Sequence, residues 1–253
     1  MKVPSPEQRR EDIALLAQKE SLQQQTIKTT TFNLYGYHAP LQNCSDIHLY
    51  IEGDGLSWVS RNRISKDPTP IQPTGFALML KDPKPCKMYI ARPCQYVANA
   101  MCEKKYWTSH RFSSEVIESF SQALDTIKKE NNTQTFTLIG YSGGGAVAAL
   151  LAAKRDDISR LVTVAGNVDT QKWTDLHHIT PLDGSLNPAE FTPKLEKIEQ
   201  YHLVGTRDET VPFSVFESYR SRFSDTTHLH VIMIDSDHHD NIVGAYEAIW
   251  DQK

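Results

Sequence analysis

The sequence lacks a long apolar run and a strong excess of charge of either sign. Its longest fully apolar stretch, residues 146–153, is far shorter than the roughly 20 residues that cross a bilayer. Lysine and arginine number 27 against 31 aspartate and glutamate, a formal net charge of −4 with no long run of either sign. These absences argue against a membrane span and against a nucleic acid partner. We therefore expect a small-molecule substrate.

The first residues lack the apolar segment of a signal peptide. Lys2 is followed by Val3, Pro4 and mostly polar residues. On this basis we expect either a cytoplasmic protein or an exported one whose leader has been removed.

Cysteine is also scarce. The four cysteines lack the paired spacing of a zinc site, and neither a metal nor another cofactor is predicted. Cys44 and Cys86 each stand just before a strand-like segment, so their sulfur atoms meet at one sheet edge if the two strands are parallel neighbours. Cys94 and Cys102 lie close enough in sequence to close a local loop. We therefore favour two disulfides, and with them an oxidising compartment, over buried thiols.

The spacing of apolar residues predicts an α/β protein. An N-terminal amphipathic helix (6–19) and one or two antiparallel strands (26–37) are followed by alternating strand-like and helix-like segments. Strands are expected near 46–52, 87–91, 135–140, 159–164, 199–204 and 228–234, and helices near 74–81, 114–130, 144–155, 212–222 and 241–251. Such alternation is typical of a mostly parallel central sheet with helices on both faces.

The length and the 39% hydrophobic content fit one domain, residues 1–253. Within it, residues 1–25 are expected to form a helical extension on the surface. Residues 166–193 are rich in Asn, Asp, Gly and Pro. They are expected to form an irregular insertion and, as long insertions often do, to cover the active site.

A Gly-x-Ser-x-Gly motif lies between a predicted strand and a predicted helix, formed by Gly140, Tyr141, Ser142, Gly143 and Gly144. A serine at such a sharp turn has a strained backbone that lifts its hydroxyl clear of the sheet. Glycine is needed two residues away on either side because a side chain would clash there. The motif predicts that Ser142 is a catalytic nucleophile, and the alternative is a glycine-rich turn with a capping serine.

A serine nucleophile needs a base, and two histidines follow the last predicted strand. His238 and His239 precede the last helix, where the chain order Ser, Asp, His places the base. We favour His238, because the residue that faces the hydroxyl usually comes early in this turn. His239 is then expected to cap the following helix or to line the pocket.

The third member of a triad is a carboxylate that orients the histidine. Asp208 follows the predicted strand that ends at Val204, and Val211 and Pro212 then open the next helix. Asp208 is therefore the predicted acid. Asp169, after the preceding strand, is the alternative, and an exposed loop carboxylate is the non-catalytic interpretation.

An oxyanion intermediate needs two backbone N–H donors. One is expected from Gly143, and the other from Asp54 in the glycine-rich turn after residues 46–52. The Asp54 carboxylate would repel an oxyanion, so we expect it to turn away and bond neighbouring backbone. A metal site at Glu52 and Asp54 is disfavoured, because no nearby histidine has ligand spacing.

Four further residues are expected at the pocket: Tyr141, Gly53, His239 and Trp58. Trp107 and Trp173 also follow strands and are further candidates, although tryptophan more often serves ordinary packing.

The three motifs resemble those of the α/β-hydrolase superfamily in order and context. Residues 140–144, 205–212 and 237–240 are similar to its nucleophile, acid and histidine segments. The resemblance implies an α/β-hydrolase fold with Ser142, Asp208 and His238 as its catalytic residues.

Other segments resemble a little-characterised group of bacterial hydrolases: residues 51–55, 92–96, 107–108 with 111–113, and 182–188. This similarity covers most of the chain from about Tyr35 onward. Members of that group are often exported or lipid-anchored, so the resemblance implies a periplasmic or otherwise exported protein. It implies no particular substrate.

Together these features predict a serine hydrolase that cleaves an ester or a related acyl bond. An ester is favoured because its leaving group needs less protonation than that of an amide. A peptidase or amidase with the same triad, and a catalytically silent binding protein with the same fold, stay open as alternatives.

Overall fold

The computed structural model describes residues 3–250. The strands are β1 (Gln23–Lys28), β2 (Asn33–His38), β3 (Asp46–Ile51), β4 (Trp58–Ser60), β5 (Arg63–Ile64), β6 (Lys87–Ile90), β7 (Thr135–Tyr141), β8 (Ile158–Val164), β9 (Glu199–Gly205) and β10 (Leu229–Ile234). The helices are α1 (Pro6–Lys19), α2 (Thr74–Lys81), α3 (Ser114–Asn131), α4 (Gly143–Lys154), α5 (Thr170–His177), α6 (Thr192–Leu195), α7 (Phe213–Arg220) and α8 (Ile242–Trp250). Short 3₁₀ helices cover Lys104–Trp107 and Pro188–Glu190. Within residues 3–250, no helix combines the length and the apolar composition needed to cross a membrane.

Eight strands form one sheet in the order β1-β2-β6-β3-β7-β8-β9-β10, and β4 and β5 form a separate hairpin. β2 pairs antiparallel with β1 and with β6, and all other pairs in the main sheet are parallel. After β3 the chain adds β6 on one side of that strand and then β7 on the other. Ligand sites of parallel sheets lie at such a reversal, beyond the carboxyl ends of the strands. Here that position lies between the ends of β3 and β7.

Helices cover both faces of the sheet, as predicted, and β3 shows why. Ile47, Leu49 and Ile51 point to one side and join the core formed with α3 and α4. Tyr50 points to the other side and joins the core formed with α1, α2 and α8. Successive side chains of a strand alternate between faces, so one apolar strand supplies both layers.

The N-terminal segment is not a free surface extension. Ile13 and Ala17 of α1 are each 1% exposed and belong to the core, whereas the neighbouring Leu15 and Leu16 face solvent. The Arg9 guanidinium donates to the Thr69 carbonyl. Of the apolar residues Ile13, Leu15 and Leu16, only Ile13 faces the body of the protein. β1 begins at Gln23, inside the predicted extension.

Residues 166–193 are more regular than predicted. Asp169 caps α5 by accepting from the Lys172 N–H, and α6 begins at Thr192. α5 has only two buried residues, Thr170 and Thr174, so it lacks the apolar stripe by which a helix is recognised in a sequence.

Both expected disulfides are formed. Cys44 is joined to Cys86 and Cys94 to Cys102, which leaves no free cysteine in the described chain. The first bond ties together the segments that enter the parallel neighbours β3 and β6. Two disulfides indicate an oxidising environment.

Candidate active site

β7 ends in a sharp turn that presents Ser142. This residue has φ 51° and ψ −120°, in a region that non-glycine residues seldom occupy. Its N–H donates to the Val164 carbonyl at 2.9 Å, and its carbonyl accepts from the Asn167 N–H at 3.1 Å. A Cβ at Gly140 would overlap the Gly144 backbone, so the turn closes only with glycine there. Contacts from β8 and the segment after it therefore hold the strained conformation.

The predicted histidine and acid lie in line with this serine. His238 Nε2 is 2.9 Å from Ser142 Oγ, and His238 Nδ1 is 2.8 Å from Asp208 Oδ2. Asp208 Oδ1 accepts from the N–H groups of Thr210 and Val211 at 2.9 and 2.8 Å. Because both carboxylate oxygens are engaged, the one facing the imidazole is fixed in orientation. Nδ1–H donating to Asp208 leaves Nε2 free to accept the Ser142 proton.

His239 lines the cavity instead of contacting Ser142. Its Nδ1 is 2.9 Å from the Tyr141 hydroxyl, which donates to the His238 carbonyl at 2.8 Å. Burial, and then the neighbouring His238, lower the pKa of His239. Tyr141 thus links the serine turn to the histidine loop.

Asp169, the alternative acid, is bound elsewhere. It accepts hydrogen bonds from the Lys172 N–H, the Asn187 amide and the Ser218 hydroxyl. These bonds hold the start of α5, and His238 contacts Asp208.

The turn after β3 is held by the buried side chain of Glu52. Its carboxylate accepts from the Gly53 N–H at 3.0 Å, the Gly75 N–H at 3.1 Å and the Tyr89 hydroxyl at 3.0 Å. Burial raises the pKa of Glu52, against the opposing effect of the two backbone donors. Because Glu52 occupies the Gly53 N–H, the next N–H along the turn, that of Asp54, is without a partner among the described residues.

The Asp54 carboxylate is held by two arginines. Arg92 lies 3.1 Å from one oxygen and Arg111 2.5 Å from the other. Burial alone would raise the pKa of Asp54, but the charges of Arg111 and Arg92 outweigh it and lower that pKa. The expectation that this carboxylate bonds neighbouring backbone is therefore wrong. A Cβ at Gly143 would overlap the same carboxylate, so the two predicted N–H donors lie on adjacent segments.

The segment after β6 braces the turn from the other side. Gln95 Nε2 donates to the Gly53 carbonyl at 3.0 Å, and Gln95 Oε1 accepts from the Arg92 N–H at 3.0 Å. The Arg92 guanidinium also donates to the Arg111 carbonyl. Neither arginine was predicted as a site residue, although each lies in a segment that carries the resemblance to bacterial hydrolases.

A cavity of about 490 Å³ opens over Ser142. The predicted Gly53, Asp54, Tyr141, Gly143, His238 and His239 line it, as do the unpredicted Ile71 and Val211. The insertion contributes Asn167 and Trp173. Within residues 3–250, no group of three or more His, Cys, Asp or Glu side chains is arranged to hold a metal ion.

Two predicted tryptophans lie outside this cavity. Trp58 lines a neighbouring groove, because the β4–β5 hairpin carries it away from Ser142. Trp107 is 7% exposed and donates from Nε1 to the Ser65 carbonyl at 3.2 Å, a packing role.

The chain has the α/β-hydrolase fold. Its mostly parallel eight-stranded sheet is covered by helices, and the whole chain is similar in structure to solved esterases of this fold. No protein-family model and no curated protein matches the sequence.

Three of the similar solved structures illustrate the likeness. Est1E from Butyrivibrio proteoclasticus has 15% sequence identity and a TM-score of 0.61, over 90% of this chain and 98% of that chain. The Pyrococcus furiosus esterase Pf2001 has 14% identity and a TM-score of 0.64, over 93% and 91%. An alpha-beta serine hydrolase homologue from Coxiella burnetii has 14% identity and a TM-score of 0.63, over 91% and 96%. At these identities the likeness is one of fold.

Proposed function

We propose that this protein is a serine hydrolase that cleaves an ester or related acyl bond through an acyl-enzyme. The observation that carries the proposal is the hydrogen-bonded line from Ser142 Oγ through the His238 imidazole to Asp208. The esterases among the structural neighbours support an ester over an amide.

In the first step, Ser142 Oγ attacks the substrate carbonyl while His238 Nε2 accepts the hydroxyl proton. Asp208 stabilises the imidazolium that forms and keeps its ring in place. The carbonyl oxygen becomes an oxyanion, to which the N–H groups of Gly143 and Asp54 donate. The positive end of α4, which begins at Gly143, favours the same charge.

In the second step, the imidazolium of His238 protonates the leaving alcohol and the acyl group stays on Ser142. Water then attacks the acyl-enzyme, with His238 as base, and releases the acid. The Arg92 and Arg111 side chains neutralise the Asp54 carboxylate, which would otherwise repel the oxyanion.

We place the protein in the periplasm or another exported location. The two disulfides and the resemblance to exported bacterial hydrolases support this placement.

Ser142→Ala tests the nucleophile. We expect it to abolish covalent labelling by a fluorophosphonate and to lower kcat for 4-nitrophenyl esters by about 10⁴-fold or more, with little change in Tm. Ser159→Ala, a serine at the opposite end of the sheet, is the control and should keep both activities. Labelling that survives in Ser142→Ala would reject this serine as nucleophile.

The acid is tested with a matched pair of variants. Asp208→Asn should lower kcat on the order of 10⁴-fold by favouring the wrong imidazole tautomer. Asp169→Asn should be mild, because its bonds serve α5. The reverse ranking, measured by kcat on 4-nitrophenyl acetate, would transfer the role to Asp169.

A further inference from the structure

A second groove, of about 710 Å³, lies beside the Ser142 cavity. The two share Asp54, Gly55 and Trp173 as a common boundary. Of the residues that line the groove alone, only Arg111 takes part in the proposed reaction, through the Asp54 carboxylate. Both spaces have volumes typical of ligand sites.

Two segments outside the main sheet contribute most of the apolar lining of the groove. The β4–β5 hairpin contributes Trp58 and Ile64, and the segment after α5 contributes Ile179 and Leu182. These four residues lie outside the eight-stranded sheet.

The groove exposes large apolar side chains. Trp58 is 43% exposed and Ile179 is 45% exposed. Ile71, at the adjoining Ser142 cavity, is also 45% exposed. Apolar side chains that gather along one cleft, rather than singly over the surface, mark a site that a ligand covers.

The boundary between the two spaces is rigidly held. Trp173 Nε1 donates to the Thr210 carbonyl at 2.8 Å, in the loop that follows Asp208. The Arg111 guanidinium lies 5.8 Å from the centroid of the Trp173 ring. A ligand that extends from Ser142 into the groove thus passes Trp173, whose side chain is held by the loop after Asp208 and lies against Arg111.

We propose that the groove binds an aromatic half of the substrate ester, while the scissile carbonyl and the smaller half occupy the Ser142 cavity. Trp58 and Trp173 supply two aromatic surfaces, and Ile64, Ile179 and Leu182 add apolar surface beside the polar side chains of the groove. Aromatic rings gain stabilisation from each other beyond burial. This inference rests on the proposed hydrolase function.

Two isomeric esters test the proposal and identify the half that occupies the groove. Methyl 2-naphthylacetate carries the ring on the acyl side, and 2-naphthylmethyl acetate carries it on the alcohol side. Trp58→Ala should lower kcat/KM for one isomer roughly tenfold through KM. It should leave ethyl acetate, an ester without an aromatic ring, unchanged, and Trp58→Phe should restore most of the loss. Met233→Ala, which removes an apolar side chain 47% exposed on β10, is the control.

Three results would overturn the assignment. In the first, Trp58→Ala and Met233→Ala change kcat/KM for both isomers by the same factor. In the second, Trp58→Ala lowers kcat/KM for methyl decanoate as much as for the naphthyl esters. The third result concerns binding of the two isomers to Ser142→Ala, measured by tryptophan fluorescence. The assignment fails if replacing Trp58 in that variant weakens the binding of neither isomer. This last measurement needs no turnover, so it tests the groove assignment independently of the proposed hydrolase function. An inactive wild-type protein would instead reject the hydrolase function.

Discussion

Arg111 contacts two features of the site at once, the Asp54 carboxylate and the Trp173 ring. Its Nε also donates to the Thr108 carbonyl at 2.7 Å, which fixes the guanidinium. We infer that Arg111 is a positioning residue for the Asp54 N–H.

Arg111→Met should therefore lower kcat for 4-nitrophenyl acetate by about 10- to 100-fold, less than the 10²–10³ that follows removal of an oxyanion donor. KM should change less than kcat, because Arg111 acts on the oxyanion of the transition state through the Asp54 N–H. The rate of fluorophosphonate labelling should fall in parallel, since the phosphonyl oxygen uses the same donors.

Arg155→Met is the matched control. Arg155 pairs with Asp157 and Asp125 at the far end of α4, so its loss removes an ion pair without touching the site. Equal kcat in the two variants would show that the arginine pair contributes to stability alone.

Among single residues, the sequence predicts those that lie in a local motif. It does not predict those that reach the site through contacts between distant parts of the chain. Ser142 lies in such a motif, and the geometry brings His238 and Asp208 to it in the predicted order. The contacts of Arg92 and Arg111 with Asp54 span 38 and 57 residues, and no local pattern encodes them.

Among the elements, β9 contains a buried histidine outside the active site. His202 is 1% exposed, and its Nδ1 lies 2.8 Å from the Thr163 hydroxyl on β8. Burial lowers the pKa of His202 to about 3, from an ordinary value of about 6.5.

The unfolded chain therefore binds this proton between about pH 6.5 and 3, and the folded chain does not. Stability should be full above pH 6.5 and fall as the pH is lowered, by at most about 1.4 kcal/mol per pH unit from this group. Urea unfolding at pH 7 and 4.5 measures the difference. His202→Gln should reduce the pH dependence, whereas His228→Gln, an exposed histidine, should retain it. Identical pH dependence in the two variants would contradict the prediction.

The elements themselves were predictable where apolar spacing is strong. β7 and α3 each bury a continuous face, and both lie where the sequence predicts them. The β4–β5 hairpin and α5 were not predicted, because both are short and present few buried side chains. These two elements carry Trp58 and Trp173, so the groove could not be anticipated.

For the molecule as a whole, the two disulfides should have different effects. Cys44–Cys86 closes a separation of 42 residues and Cys94–Cys102 one of 8. On chain entropy alone, these bonds are worth about 4 and about 2.5 kcal/mol.

Replacing Cys44 and Cys86 by alanine should mainly lower the free energy of unfolding, measured with urea. Replacing Cys94 and Cys102 should lower it less but should also lower kcat, because Arg92 and Gln95 beside this bond brace the turn at Asp54. A kcat that falls only in the first variant would contradict this division.

The connectivity of these bonds also bears on biosynthesis. Four cysteines allow three pairings, and this protein has the one in which the first cysteine joins the second and the third joins the fourth. A chain that crosses a membrane from its N-terminus and meets an oxidant on the far side exposes Cys44 and Cys86 before Cys94 and Cys102. For the exported protein proposed above, oxidation in order of emergence yields the native pairs directly, so maturation should require an oxidase but no disulfide isomerase.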